Sequence, residues 1–155
     1  MKESIGLTVT INIIVVFLAV AFVFIIGIVA YNRAYKAASL IIKEIEKYEG
    51  YNDLAFEQIE KDLNNVGYVP GDSSGCKATR TSYGIEGQLV NTGDEKFKYC
   101  IYWFDYDESN ADKKYNKHYS YGVVTYMTFD FNMFGIKLQL PIYGKTTRIY
   151  RFTNT

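Results

Sequence analysis

Charge is missing from the first stretch of this chain. Between Ser4 and Asn32 there is no Asp, Glu, Lys or Arg, and between Ile13 and Tyr31 the only polar group is the Tyr31 hydroxyl. Net charge is missing from the whole, since 17 basic and 17 acidic residues cancel. A neutral chain lacks the basic face that neutralises phosphates, which excludes a nucleic-acid partner. Histidine is reduced to His118, set among Lys113, Lys114 and Lys117 with no second His or Cys nearby, and this argues against metal ligation. Cysteine is reduced to Cys76 and Cys100. That is too few for a four-ligand zinc site, and an even pair in a small domain reads as a disulfide. No G-x-x-x-x-G-K, G-x-G-x-x-G or H-E-x-x-H occurs. No catalytic residue and no cofactor is assigned, and the chain reads as a non-enzyme. Proline is absent before Pro70, so nothing breaks a helix in the N-terminal part.

The uncharged run from Ile5 to Tyr31 exceeds the roughly 20 apolar residues that cross a hydrocarbon core. It is too long for the roughly 7–15 residue apolar stretch of a signal peptide, and Gly27-Ile28-Val29-Ala30-Tyr31 is a poor cleavage match. It therefore reads as a retained anchor over residues 1–31. Ala19, Gly27, Ala30, Ala34 and Ala38 fall near one another on a helical wheel, a stripe that lets another helix approach closely. Asn12, one turn from Thr8, is a candidate interhelical hydrogen-bonding group.

Past Tyr31 the pattern turns amphipathic. Ala34, Ala38, Ile41, Ile42 and Ile45 share a face, while Arg33, Lys36, Lys43 and Lys47 mostly take the other. One helix from about Ser4 to Glu49 is expected, with Gly50 as its C′ stop, and Ile41 and Ile45 extend the packing stripe. A second helix should start at Asn52 or Asp53 and bury Leu54, Ile59, Leu63 and Val66. Residues 32–67 thus form an amphipathic helix and a short partner. The flanking lysines and arginine favour a cytoplasmic C-terminal part by the positive-inside rule, whereas a disulfide favours an oxidising compartment. The second consideration gives the expected topology: N-terminus cytoplasmic, C-terminal domain extracytoplasmic.

From residue 68 onward a small antiparallel β-domain is expected. Strand-like segments cover 96–104, 119–131, 136–142 and 146–152, separated by Asn-, Asp- and Gly-containing stretches. Tyr119, Tyr121, Val123, Thr125, Met127, Phe129 and Phe131 alternate onto one face, which the amphipathic helix should cover. The fold class is therefore α+β. Tyr102, Trp103, Tyr106, Tyr119 and Tyr121 are candidates for an aromatic recognition face, or else for the core of the sheet. Asp105, Asp107 and Ser109 match positions 1, 3 and 5 of a calcium loop, but position 6 is Asn110 and position 12 is Asn116, so the match is weak and no metal is assigned.

An uncharged run that flows into an amphipathic helix, a turn at Gly50, a second helix and a terminal β-domain resembles the TadE-like and type IV pilin-like proteins of tight-adherence and related pilus systems. Residues 38–50 with 54–67 look like their post-membrane helix pair, and residues 140–147 look like their last two strands. The resemblance implies a pilin-like fold and a structural or accessory subunit of a surface assembly. Its implied partners are the membrane, copies of itself or other pilin-like subunits, and a membrane assembly platform. In that family a Glu at the fifth mature position follows a cleaved basic leader. Here Glu3 lies two residues after the initiator with nothing upstream to cut, so a minor pilin, pseudopilin or permanently anchored accessory protein is expected. Glu3 either meets a neighbour's N-terminal amine or stays solvated among headgroups. The alternative reading is a single-pass protein presenting its β-domain as a ligand- or partner-binding module.

Overall fold

The computed structural model describes residues 2–68, 75–92, 98–106, 118–131 and 136–150. The fold is α+β. Helix α1 spans Lys2–Lys47 without a break, 46 residues, or about 69 Å at about 1.5 Å per residue. From Thr8 to Val29 its side chains are exposed, with only Ala21 and Gly27 half-covered. Beyond Ala34 one face of the same helix is sealed: Ala34, Ala37, Ala38, Ile41 and Ile45 are all buried.

The helix ends on hydrogen bonds rather than on glycine chemistry alone. Gly50 N–H donates to the Ile45 carbonyl at 2.9 Å and Glu49 N–H to the Glu46 carbonyl at 3.2 Å, the paired bonds of a Schellman motif. The left-handed C′ residue is Glu49, at φ 53, and Gly50 follows it at φ 149. The stop is thus one residue earlier than the glycine suggests. Gly50 instead sits under the Tyr119 and Tyr121 hydroxyls, each 3.6 Å from where a Cβ would be.

Helix α2 spans Asp53–Val66. Asn52 is its N-cap, its side chain accepting from Ala55 N–H at 2.9 Å, and Gly67 closes it at φ 64. It buries Ala55, Ile59 and Leu63, an i, i+4, i+8 row, against α1 and the sheet. Leu54 is on the other side and 63 % exposed, which corrects the expected face by one residue.

The strands are β1 Thr79–Ser82, β2 Ile85–Asn91, β3 Cys100–Asp105, β4 His118–Phe131, β5 Ile136–Lys145 and β6 Ile149–Tyr150. They form one antiparallel sheet in the order β1-β2-β3-β4-β5, with β6 pairing the start of β4 on a separate branch. Pro141 is accommodated in β5, opposite Tyr126, because among the described strands β5 pairs on one side only. The hairpin β1–β2 was not expected. Its turn, Tyr83-Gly84, has positive φ at both residues, 53 and 80, as a two-residue type I′ turn requires.

Strand β4 lies alongside α1 in the opposite direction. Tyr119 Oη donates to the Glu49 carbonyl at 2.9 Å and the buried Thr125 Oγ1 donates to the Ala34 carbonyl at 2.9 Å. Phe129 reaches Gly27. From residue 119 to 129 a strand advances about 33 Å, and from residue 49 to 27 a helix advances about 33 Å. Strand and helix keep pace, so the sheet clamps α1 along its C-terminal half and onto the last turns of the apolar run.

Both faces of the sheet carry a core, not one. Facing α1 are Ile101 and Val123 with Ile41, Ile45, Ile59, Leu63 and Tyr99; burying each such side chain is worth about 1.5–3 kcal/mol. On the other face Cys100, Tyr102, Phe104, Val124 and Tyr126 form a second cluster. The sheet curls around this second cluster until its two ends meet. Arg80 of β1 lies over the Tyr143 ring of β5 at 4.5 Å, and the Tyr143 hydroxyl contacts Ser82 at 3.5 Å.

Candidate functional site

Cys76 and Cys100 form a disulfide, with Cα atoms 5.7 Å apart. It pins the segment before β1 to the inner face of the curl. The Tyr126 hydroxyl lies 3.3 Å from Cys100 Sγ and donates to it, because a bridged sulfur carries no proton. Tyr102 Oη donates to the Lys77 carbonyl at 3.0 Å. The result is a cleft of about 690 Å³ between β1 and β5, with Lys77, Arg80 and Gln139 at its rim and Tyr102 and Tyr126 in its floor.

The five aromatics expected on one face are divided by the register. Trp103 pairs with Tyr121 and Asp105 with Tyr119, so Trp103, Tyr119 and Tyr121 share the α1 side. Tyr102 and Tyr106 take the opposite side, and Tyr102 is buried. No single surface holds all five. Asp105 ends β3, while Asp107 and Ser109 lie outside the described residues. Among the described residues no group of three His, Cys, Asp or Glu is placed to hold a metal ion.

The packing stripe is divided as well. Ala34, Ala38, Ile41 and Ile45 are buried by the chain's own sheet and second helix, which corrects their assignment to an interface with another molecule. Gly27 and Ala30 are half-covered, and Ala19 is exposed. Asn12 is exposed in the same half of α1. Thr10 satisfies its own hydroxyl by donating to the Gly6 carbonyl at 2.9 Å. Nothing of the Glu3 side chain is described.

A polar cluster that sequence reasoning missed surrounds Tyr106. Lys145 Nζ and Ser120 Oγ both donate to the Tyr106 hydroxyl oxygen. The same ammonium lies 4.9–5.2 Å from the Phe104, Tyr106 and Tyr83 ring centroids, a cation held by three aromatic faces. His118 stacks on Tyr106 at 4.8 Å. Burial alone would raise the Tyr106 pKa, but the two donated hydrogen bonds and the Lys145 and Arg148 charges outweigh it and leave it lowered.

Tyr68 was missed too. In the β3–β4 register Cys100 faces Val124, so Lys98 would face Tyr126 next. The Tyr68 hydroxyl is inserted there, accepting from Tyr126 N–H at 2.9 Å and donating to the Lys98 carbonyl at 3.0 Å. Burial pushes the Tyr68 phenol up to about 12, against the pull of the Tyr126 N–H. Burial likewise pushes Tyr51 up to about 12.

These opposed shifts give a pH prediction. Tyr51 and Tyr68 hold protons in the folded state that the unfolded chain has lost, so stability falls as pH rises from about 10 to about 12. Tyr106 works in the opposite sense, adding stability as pH rises through its lowered value. Absorbance titration of the phenolates should show one early tyrosine that disappears in Tyr106→Phe. Tyr68→Phe should lose one late titration and cost about 1–3 kcal/mol for the orphaned Tyr126 N–H and Lys98 carbonyl.

The chain matches no family model, no curated protein and no solved structure.

Proposed function

We propose that this chain is a membrane-anchored, pilin-like structural or accessory subunit of a pilus or secretion-type surface assembly, working by helix packing and protein–protein association rather than by chemistry. The observation that carries the reading is the division of α1. One helix, long and apolar enough to cross a membrane, is exposed on all sides from Thr8 to Phe22 save at Ala21 and sealed by one face into a folded head from Ala34 to Ile45. A helix apolar all round belongs in lipid or among other helices. Ala19 in the exposed half leaves a place for a second helix to approach. The disulfide supports a head on the oxidising side of the membrane, and we weigh it above the basic residues that flank the span.

The test is a bulky residue at Ala19, the exposed member of the stripe. Ala19→Trp changes no contact within the head, so the disulfide and the near-ultraviolet circular dichroism should stay as they are. Association of the full-length protein in detergent, followed by sedimentation, should weaken at least about tenfold, equivalent to about 1.4 kcal/mol. A protein that is monomeric at all concentrations, or whose association ignores Ala19→Trp, overturns the proposal. A second reading, a single-pass protein presenting the cleft between β1 and β5 as a binding site, is favoured by the basic rim of Lys77 and Arg80 over an aromatic floor. On that reading association is dispensable and Ala19→Trp leaves activity intact.

A further inference from the structure

The distal part of the β4–β5 hairpin continues past the core of the head and flanks the apolar half of α1. Phe129 sets its ring beside Gly27, with 3.5 Å between its Cε1 and the position of a Gly27 Cβ. Between helix and hairpin lies an open-sided groove of about 420 Å³. Val23, Phe24 and Gly27 form one wall, and Met127, Phe129 and Leu138 form the other. Among the described residues the Tyr31 phenol is the only polar side chain that lines it.

We propose that this groove holds an acyl chain of a membrane phospholipid and so seats the head against the bilayer. The inference rests on the reading of α1 as a membrane span. About 20 residues cross the hydrocarbon, and the apolar run extends over residues 5–31. Every placement of that span within the run includes Val23 and Phe24, so the deep end of the groove always lies at hydrocarbon level. Water is a poor filler, because among the described residues the lining offers it one hydroxyl to bond.

The hairpin settles how far the head descends. Among the described strands β5 pairs with β4 alone, and a sheet edge that no strand covers does not enter the hydrocarbon. The strands therefore stop at headgroup level, and the hydrocarbon ends near Phe24. The run is about 40 Å long against a hydrocarbon thickness of about 30 Å. The groove gives the surplus apolar turns a cover that an acyl chain can complete, a local thickening of the lipid against the protein.

The test uses the full chain in phosphatidylcholine vesicles containing lipid brominated in the upper half of its acyl chains. Trp103→Phe removes the native tryptophan. Leu138→Trp reports on the groove and Phe17→Trp on the span. Both fluorophores should be quenched. Adding Gly27→Leu, which fills the groove, should cut quenching at position 138 by at least half and leave position 17 unchanged. Quenching at 17 without quenching at 138 overturns the groove and spares the span; quenching at neither overturns both. Quenching at 138 that appears only when the protein is diluted in lipid identifies a second copy's helix as the occupant and also overturns the proposal. Should Leu138→Trp fail to form the disulfide, Met127→Trp reports from the same groove.

Discussion

Replacing Phe104 by alanine should cost the head about 3–5 kcal/mol, the upper range for a buried aromatic. The ring is fully buried in the cluster on the inner face of the curl. Its neighbours on the flanking strands are glycines. A Cβ on Gly87 of β2 would lie 2.5 Å from Phe104 Cε1, and one on Gly122 of β4 would lie 2.7 Å from Cε2. The ring thus occupies space that two neighbouring side chains would otherwise fill, and neither flanking glycine has a side chain to relax into the hole that it leaves. Lys145 also loses one of its three aromatic faces. The measurement is urea unfolding of the full-length protein in detergent, followed by near-ultraviolet circular dichroism. A loss below about 1 kcal/mol would show that the curl is held elsewhere. Gly122→Ala is the complementary change and should cost about 1–3 kcal/mol by overpacking. Combined with Phe104→Ala it should cost less than the sum, because the added methyl enters the vacated space.

The same glycines explain why this part of the fold was hard to read in the sequence. Gly87 interrupts the alternation of Ile85, Leu89 and their neighbours, β1 is the polar Thr-Arg-Thr-Ser, and the turn between them is Tyr-Gly rather than Asn-Gly. None of the three gives a strong hairpin signal. The long helix was legible because absence of charge and a 3.6-residue period are continuous over many residues. That the amphipathic half of that helix covers the alternating face of β4 was expected and is found; that the same stripe is thereby closed to a second molecule was not legible. A stripe of Ala34, Ala38, Ile41 and Ile45 fits a chain's own sheet as well as another copy's helix, and only the tertiary contacts decide. The second core has a related cause. Residues 99–104, Tyr-Cys-Ile-Tyr-Trp-Phe, show no alternation, which is how a strand covered on both faces reads; the clean alternation of β4 drew attention to one face only. The place of Tyr68 depends on a register that no local pattern encodes.

Reducing the Cys76–Cys100 disulfide should cost about 3.5 kcal/mol and lower the melting temperature of the head by about 14–28 °C. The two residues are 24 apart in sequence, and closing a loop of that size in the unfolded chain accounts for the energy in the chain-entropy model. The loss should be uneven. Among the described residues, the bonds beside the disulfide that tie the segment around Cys76 to the sheet include those of Tyr102 to the Lys77 carbonyl and Leu89 N–H to the Ala78 carbonyl. The α1 face has its own core and the Thr125 and Tyr119 bonds to the helix. Hydrogen exchange on Cys76→Ala/Cys100→Ala should therefore show β1 and β2 losing protection first, while residues 34–45 and the matching part of β4 keep theirs. Uniform loss would mean that the two cores fold as one unit, with the curl transmitting to the helix face. A change below about 1 kcal/mol would mean that the bond is not needed to hold the curl. The case for an oxidising compartment, and with it the proposed orientation of the head, would then lose its main support, and the basic residues flanking the span would carry the decision instead.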